Sequence, residues 1–360
     1  MPSQLALPHL LIPYVSSPPQ SSLTVLSSVL GATGNWLVLR FLYAALGTSA
    51  ASNGEPMVRG HEAGRKSRVV LVSFLQGWEF WRLEAKRLGL DLARLTETQQ
   101  FAFVDGLSEL FSSPTAPAQP SPTLYQYPEA GTAPRTTLPI RSQRSPLAPG
   151  PAGLRQPIPV STTSDGSPHK SAREAGPVKR LHLPVDGVAA LDLFEREITA
   201  VINRLKSSPG GDGNESEVLL VVDQPDLLLA ATGPSRCIGA TEIGEWIMGL
   251  QQAATATVAT VSADSPLIHN ASVYAHQAAT PLETEHAAFA VELAHRADMV
   301  MQLRNLETGA ARDVSGVLRV SKGGAWGRRE SAGVEESWEE KEVLYFVQRD
   351  GGVIVFGRGE

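Results

Sequence analysis

From Ser22 to Trp36 the chain reads SLTVLSSVLGATGNW: an apolar, β-rich run passes through a short glycine-containing turn into the start of a helix. That is the layout of a phosphate-binding loop. In a working loop, backbone N–H groups cradle phosphate, a lysine after the last glycine neutralises it, and the next hydroxyl holds Mg²⁺. Here Gly34 is followed by Asn35 and Trp36, so neither the cation nor the metal-holding hydroxyl is present. Gly31, Gly34 and Asn35 therefore mark a degenerate loop with no cofactor assigned to it. A second piece of phosphate chemistry is Val218 to Asp223, an apolar run ending in an acid that in such proteins helps to hold Mg²⁺. Without the lysine, Asp223 is expected to cap a turn or anchor a loop.

The other chemistry-bearing residues divide into those that cannot act together and those that can. Glu283, His286, Glu292 and His295 give two Glu-x-x-His motifs, the ligand pattern of di-iron bundles. Both lie on one helix, nine residues apart, which places them on opposite faces and about 13 Å apart along the axis. They are read as surface or partly buried polar residues, and no metal site is expected. The chain has no Gly-x-Ser-x-Gly elbow and no pair of acids placed for acid–base work. Arg319 to Arg329 holds four cations (Arg319, Lys322, Arg328, Arg329), flexible glycines, Trp326 and no acid. Lys322, Arg328 and Arg329 suit phosphates and Trp326 suits stacking on a base, which makes this segment the candidate RNA contact. Against it, Glu330 to Glu342 carries six glutamates that can pair with the cations. The lone Cys237 excludes an internal disulfide and is expected to pack without reacting.

The elements that must position these residues alternate along the chain. Val69–Leu75 and Val218–Asp223 are continuous apolar runs, the pattern of parallel strands covered on both faces, and Phe101–Gly106 is a third short strand that ends in an acid and a glycine. Between them lie helices: Trp36–Leu46, apolar on nearly every side; Trp78–Leu88, with Trp78, Trp81, Ala85 and Leu88 on one side; and Asp186–Lys206, with Leu191, Phe194, Ile198, Val201, Ile202 and Leu205 on one face. Further helices are expected over Glu242–Gln252 and Leu282–Arg296, and further strands over Thr257–Val261, Met299–Leu303 and Val317–Ser321. Val343–Gln348 and Val353–Phe356 flank Arg349-Asp350-Gly351-Gly352, a hairpin signature. This order predicts an α/β domain with a twisted, largely parallel sheet between two helical layers and antiparallel strands at the C-terminal end.

Composition divides the 360 residues. Residues 112–180 hold 14 of the 26 prolines and eight basic against three acidic residues, and read as a disordered Pro/Ser-rich insertion. The flanking parts, 10–111 and 181–357, read as two halves of one domain, acidic by about 11 charges against a net −6 for the chain. A protein devoted over its whole surface to nucleic acid is thereby excluded, and a local basic patch is not. With a proline-interrupted N-terminus, no apolar stretch near 20 residues and one cysteine, the chain is expected to be soluble and intracellular.

The opening, Ser22–Leu26 followed by Gly31 to Tyr43 (GATGNWLVLRFLY), resembles the start of the Elongator complex protein 6 family, especially its fungal forms. Phe103 to Phe111 (FVDGLSELF) and Leu220 to Asp226 (LVVDQPD) resemble that family in the same order, and the insertion matches nothing in it. The resemblance implies a RecA-like fold without working nucleotide motifs. It also implies a non-catalytic subunit that forms a heterohexameric ring with the fourth and fifth Elongator subunits. That ring is an accessory of the complex that modifies wobble uridines in tRNA, so tRNA, the remaining Elongator subunits and a cytoplasmic and nuclear location are implied with it. Any ATP would belong to the ring interfaces. The alternative is an active NTPase whose variant loop is completed by a neighbour's arginine, for which Arg304, Arg312 and Arg319 are candidates by position.

Overall fold

A computed structural model describes residues 7–16, 18–47, 67–112, 176–184, 187–208, 216–232, 237–269, 278–307, 309, 311–328 and 338–357. The loop expected over Ala50 to Lys66, nearly all of the Pro/Ser-rich insertion, and Arg329 with three of the six glutamates after it lie outside these residues.

The apolar runs become one ten-stranded sheet. In chain order the strands are β1 (Leu23–Ser28), β2 (Arg68–Ser73), β3 (Phe101–Asp105), β4 (Lys179–Arg180), β5 (Val218–Asp223), β6 (Ala256–Ser262), β7 (Met299–Arg304), β8 (Gly316–Lys322), β9 (Lys341–Val347) and β10 (Val353–Phe356). Across the sheet they run β10-β9-β8-β7-β1-β6-β5-β2-β3-β4. From β7 to β4 every pairing is parallel, and β8, β9 and β10 add antiparallel to β7. The expected α/β class, with a largely parallel sheet and antiparallel C-terminal strands, is the observed one. Two-residue β4 has no counterpart in the apolar pattern, because it is held to β3 by backbone bonds alone.

Helices α1 (Ile12–Val15), α2 (Asn35–Gly47), α3 (Trp78–Arg87) and α4 (Leu92–Glu97) cover one face; α5 (Gly187–Ser207), α6 (Leu227–Thr232), α7 (Ala240–Ala253), α8 (Ser265–Ile268) and α9 (Pro281–Arg296) belong to the other. Period-two alternation divides each central strand between two cores. In β2, Val69 and Leu71 pack with Leu37, Phe41 and Trp81, whereas Val70 and Val72 pack with Phe194, Ile198 and Trp246. All six residues of β2 and of β5 are buried, which is why they read as unbroken apolar runs. Strands β9 and β10 alternate instead, since only their α2 side is covered.

A buried cation and a tight turn complete the fold. The Arg68 guanidinium donates to the carbonyls of Leu205 and Ser208 and so caps the C-terminus of α5, where a cation also meets the negative end of the helix dipole. The hairpin between β9 and β10 closes through Gly351, at φ +87, as the Asp-Gly-Gly signature requires.

Candidate functional site

The β1–α2 loop is pinned on both sides. Ala32 N–H donates to the Val29 carbonyl at 2.9 Å, and Leu30 N–H donates to Asp264 Oδ1, just beyond β6, at 2.8 Å. The Leu30 carbonyl accepts from Asn305 Nδ2, just beyond β7, at 3.0 Å. Gly31 sits at φ +90, and a Cβ there would come within 3.2 Å of Asn305 Oδ1. Two N–H groups that a phosphate cradle would need are therefore already donating within the protein. Gly34 opens α2 through its carbonyl, which accepts from Leu37 and Val38. Where a hydroxyl would hold Mg²⁺, the Trp36 indole is buried against the Tyr345 ring, with centroids 4.9 Å apart.

Asp223, at the end of β5, is spent as well. Its Oδ2 accepts from Ser73 Oγ on β2 at 2.7 Å, and its Oδ1 accepts from Thr260 Oγ1 on β6 at 2.9 Å. Thr260 Oγ1 in turn accepts from Gln224 N–H at 2.8 Å, and Ser262 Oγ donates to Gln224 Oε1 at 2.7 Å. Beyond the turn, Asp226 Oδ2 lies 3.1 Å from His286 Nε2 on α9. This chain of side chains crosses the carboxyl ends of β2, β5 and β6, the edge where open parallel sheets ordinarily bind ligands. Burial raises the Asp223 carboxyl to about 6 against the two hydroxyl bonds, which lower it, while nearby Asp226 raises it further. Asp223 is thus the anchor that the missing lysine suggests, and it fastens three strands.

His286 departs from expectation. It is 3% exposed and faces Asp226, so it is a buried residue and not part of the helix surface. The other members of the motif pair are helix furniture: Glu283 closes a capping box with Thr280, and Glu292 pairs with Arg296 one turn on. Among the described residues no group of three metal-ligating side chains converges. Cys237, expected to pack, is exposed, at φ +54.

The basic segment lies at the opposite edge of the sheet. Lys322 pairs with Met299 at the start of β7, whereas Gly31 follows the end of β1, so the length of a strand, roughly 20 Å, separates the two candidate sites. Two of its glycines are not loose. A Cβ on Gly323 or Gly324 would lie within 2.1 Å of the Ala297 carbonyl oxygen or 2.5 Å of the His295 one, so the pair is there to let the loop close over the end of α9. Trp326 packs edge-on to Trp338 at 4.7 Å, Trp338 meets Tyr14 at 5.6 Å, and Lys322 Nζ stands 4.9 Å from the Trp326 centroid. The stacking residue is therefore partly engaged inside the protein, and Lys322 and Arg328 are exposed. Of the finger candidates, Arg304 pairs with Glu307 and Glu342, whose bonds raise its pKa, while Arg312 and Arg319 are exposed.

One buried polar side chain lies in an apolar helix. Arg40 on α2 is 1% exposed, and its guanidinium lies on a cleft of about 400 Å³ bounded by α2, α3, β9 and the β9–β10 hairpin. Among the described residues its hydrogen bonding is limited to Nη2 donating to the Gly351 carbonyl at 3.5 Å, and Nε has no partner. Burial pulls its pKa down to about 10, slightly opposed by Tyr43.

No protein-family model matches this chain, and no curated protein matches it. Among solved structures it is similar to a KaiC-like protein from the hyperthermophilic archaeon Pyrococcus horikoshii, at 12% identity and a TM-score of 0.47, over 98% of each chain.

Proposed function

We propose that this chain is a non-catalytic, RecA-like subunit of a heterohexameric Elongator-type ring, acting through assembly and tRNA binding in support of wobble uridine modification. The observation that carries the non-catalytic part is Asp223. Both its oxygens accept from hydroxyls on neighbouring strands, so the acid that would hold Mg²⁺ holds the sheet instead. The loop beside it has no lysine, has Trp36 packed inward, and donates the Leu30 and Ala32 N–H groups to the protein itself. These residues do not fit a metal–nucleotide complex.

Assembly is supported by two unlike apolar surfaces. Leu30, Leu75, Leu107 and Phe111 are exposed on the loops after β1, β2 and β3. On the far face of β9 and β10, Leu344, Phe346, Ile354 and Phe356 belong to neither core, and Ile354 is 46% exposed. Surfaces that differ on one chain suit head-to-tail contacts, the kind that close into rings. The Elongator assignment itself rests on the resemblance of the β1–α2 opening. Light scattering on the chain co-expressed with the fourth and fifth Elongator subunits of its species tests the proposal: a complex with the mass of two copies of each is expected, and a chain that stays apart from both overturns it.

A further inference from the structure

The cleft beside Arg40 has the makings of a ligand site that the assembly reading does not use. Its walls are mostly apolar, with Trp36 and Leu39 from α2, Phe80 and Leu88 from α3, and Tyr345 from β9. Its volume, about 400 Å³, is within the range of small-molecule pockets, which pair such walls with a few placed polar groups. The placed group is the Arg40 guanidinium, nearly wholly buried, with one hydrogen bond at the long limit and an Nε that has no partner among the described residues. A buried cation in that condition calls for an anion. Glu84, which also lines the cleft, does not supply it, because it pairs with Arg87 at 2.7 Å. The open end of α2 at Asn35 lines the same space and adds a partial positive charge.

We propose that this cleft binds a small carboxylate with a flat apolar body, its carboxylate meeting the Arg40 guanidinium and its body lying among Trp36, Phe80, Leu88 and Tyr345. One guanidinium balances one negative charge and offers a carboxylate its fork of donors. A phosphate, with more charge and more acceptors, would leave oxygens unsatisfied against the apolar walls. The flat body follows from the three aromatic side chains in the lining.

Isothermal titration of the full chain with 2-naphthoate and with 2-naphthamide, alike in shape and different in charge, tests this. Naphthoate is expected to bind at least about ten-fold tighter than the amide, the least that a charge-assisted bond contributes. Arg40→Met should bring naphthoate down to the amide. Should Arg40→Met fail to fold, Leu88→Trp at the half-buried end of α3 fills the cleft without touching the charge, and should abolish binding of both probes. Equal binding of the two probes, no binding of naphthoate, binding unchanged in Leu88→Trp, or displacement of naphthoate by inorganic phosphate would each overturn the proposal.

Discussion

Replacing Arg40 by methionine should stabilise the free protein, against the usual effect of changing a core residue. The Arg40 pKa falls from the ordinary guanidinium range to about 10, chiefly through burial. At 1.36 kcal/mol per pH unit, the charged form forfeits up to about 3 kcal/mol on folding. Methionine keeps most of the apolar stem and loses the bond to Gly351, which at 3.5 Å is worth at most about 0.5–1 kcal/mol. The net expectation at pH 7 is a gain of about 1–3 kcal/mol, or a Tm higher by roughly 2–6 °C for a domain of this size. The pH dependence gives the mechanism away. Below about pH 10 the group is charged both folded and unfolded, and the whole penalty stands. Above about pH 10 the folded protein has released the proton and the unfolded chain has not, so wild-type stability rises relative to the variant. Denaturant melts of both proteins at pH 7 and near pH 11 should show the gap narrowing by about 1 kcal/mol. If Arg40→Met lost more than about 1 kcal/mol at pH 7, or if the gap stayed constant with pH, the guanidinium would be a net structural stabiliser and the idea of a poised charge would fail.

Asp223 should behave in the opposite sense on the acid side. Its folded pKa of about 6 lies above its unfolded value, so a cost of up to about 3 kcal/mol accrues as pH rises from about 4 through 6; Asp223→Asn should flatten that slope in melts followed across this range. At the other edge of the sheet, replacing Lys322, Arg328 and Arg329 together by glutamine should weaken tRNA binding and lower the salt slope of the affinity by about 2, measured by filter binding at several salt concentrations; an unchanged slope would make the loop ordinary surface.

The contrast between these sites shows what a sequence exposes and what it conceals. Strands β2 and β5 were legible because burial on both faces leaves a one-dimensional trace, an unbroken run of Val and Leu. The α5 face was legible for the same reason: Leu191, Phe194, Ile198, Val201, Ile202 and Leu205 recur at helical spacing, and all are buried. The missing lysine and hydroxyl were legible too, since Asn35 and Trp36 stand at those positions. What surrounds them was not, because it depends on residues far apart in the chain. Asp223 is fixed by Ser73, 150 residues away, and by Thr260, and neither hydroxyl looks special in its own segment. His286 looked like half of a metal motif because Glu283 precedes it at the right spacing, yet its partner is Asp226, 60 residues earlier. Trp326 looked like a free stacking platform because Trp338, which packs against it, and Tyr14, which packs against Trp338, arrive from other parts of the chain.

Arg40 is the instructive extreme. Within α2 it is one cation in an apolar run, and from sequence alone it counts as the blemish that keeps the helix from being uniformly hydrophobic. Its meaning comes from the β9–β10 hairpin, more than 300 residues further on, which folds back so that the Gly351 carbonyl accepts from the guanidinium and Tyr345 lines the same cleft. Burying an arginine that deeply, with so little to hold it, costs stability that a methionine would not. Ring assembly through the carboxyl-edge loops gives no account of that cost, since Arg40 is covered and those loops are exposed. A ligand that arrives with the missing negative charge does account for it, because its affinity would draw on the same free energy that the empty cleft forfeits.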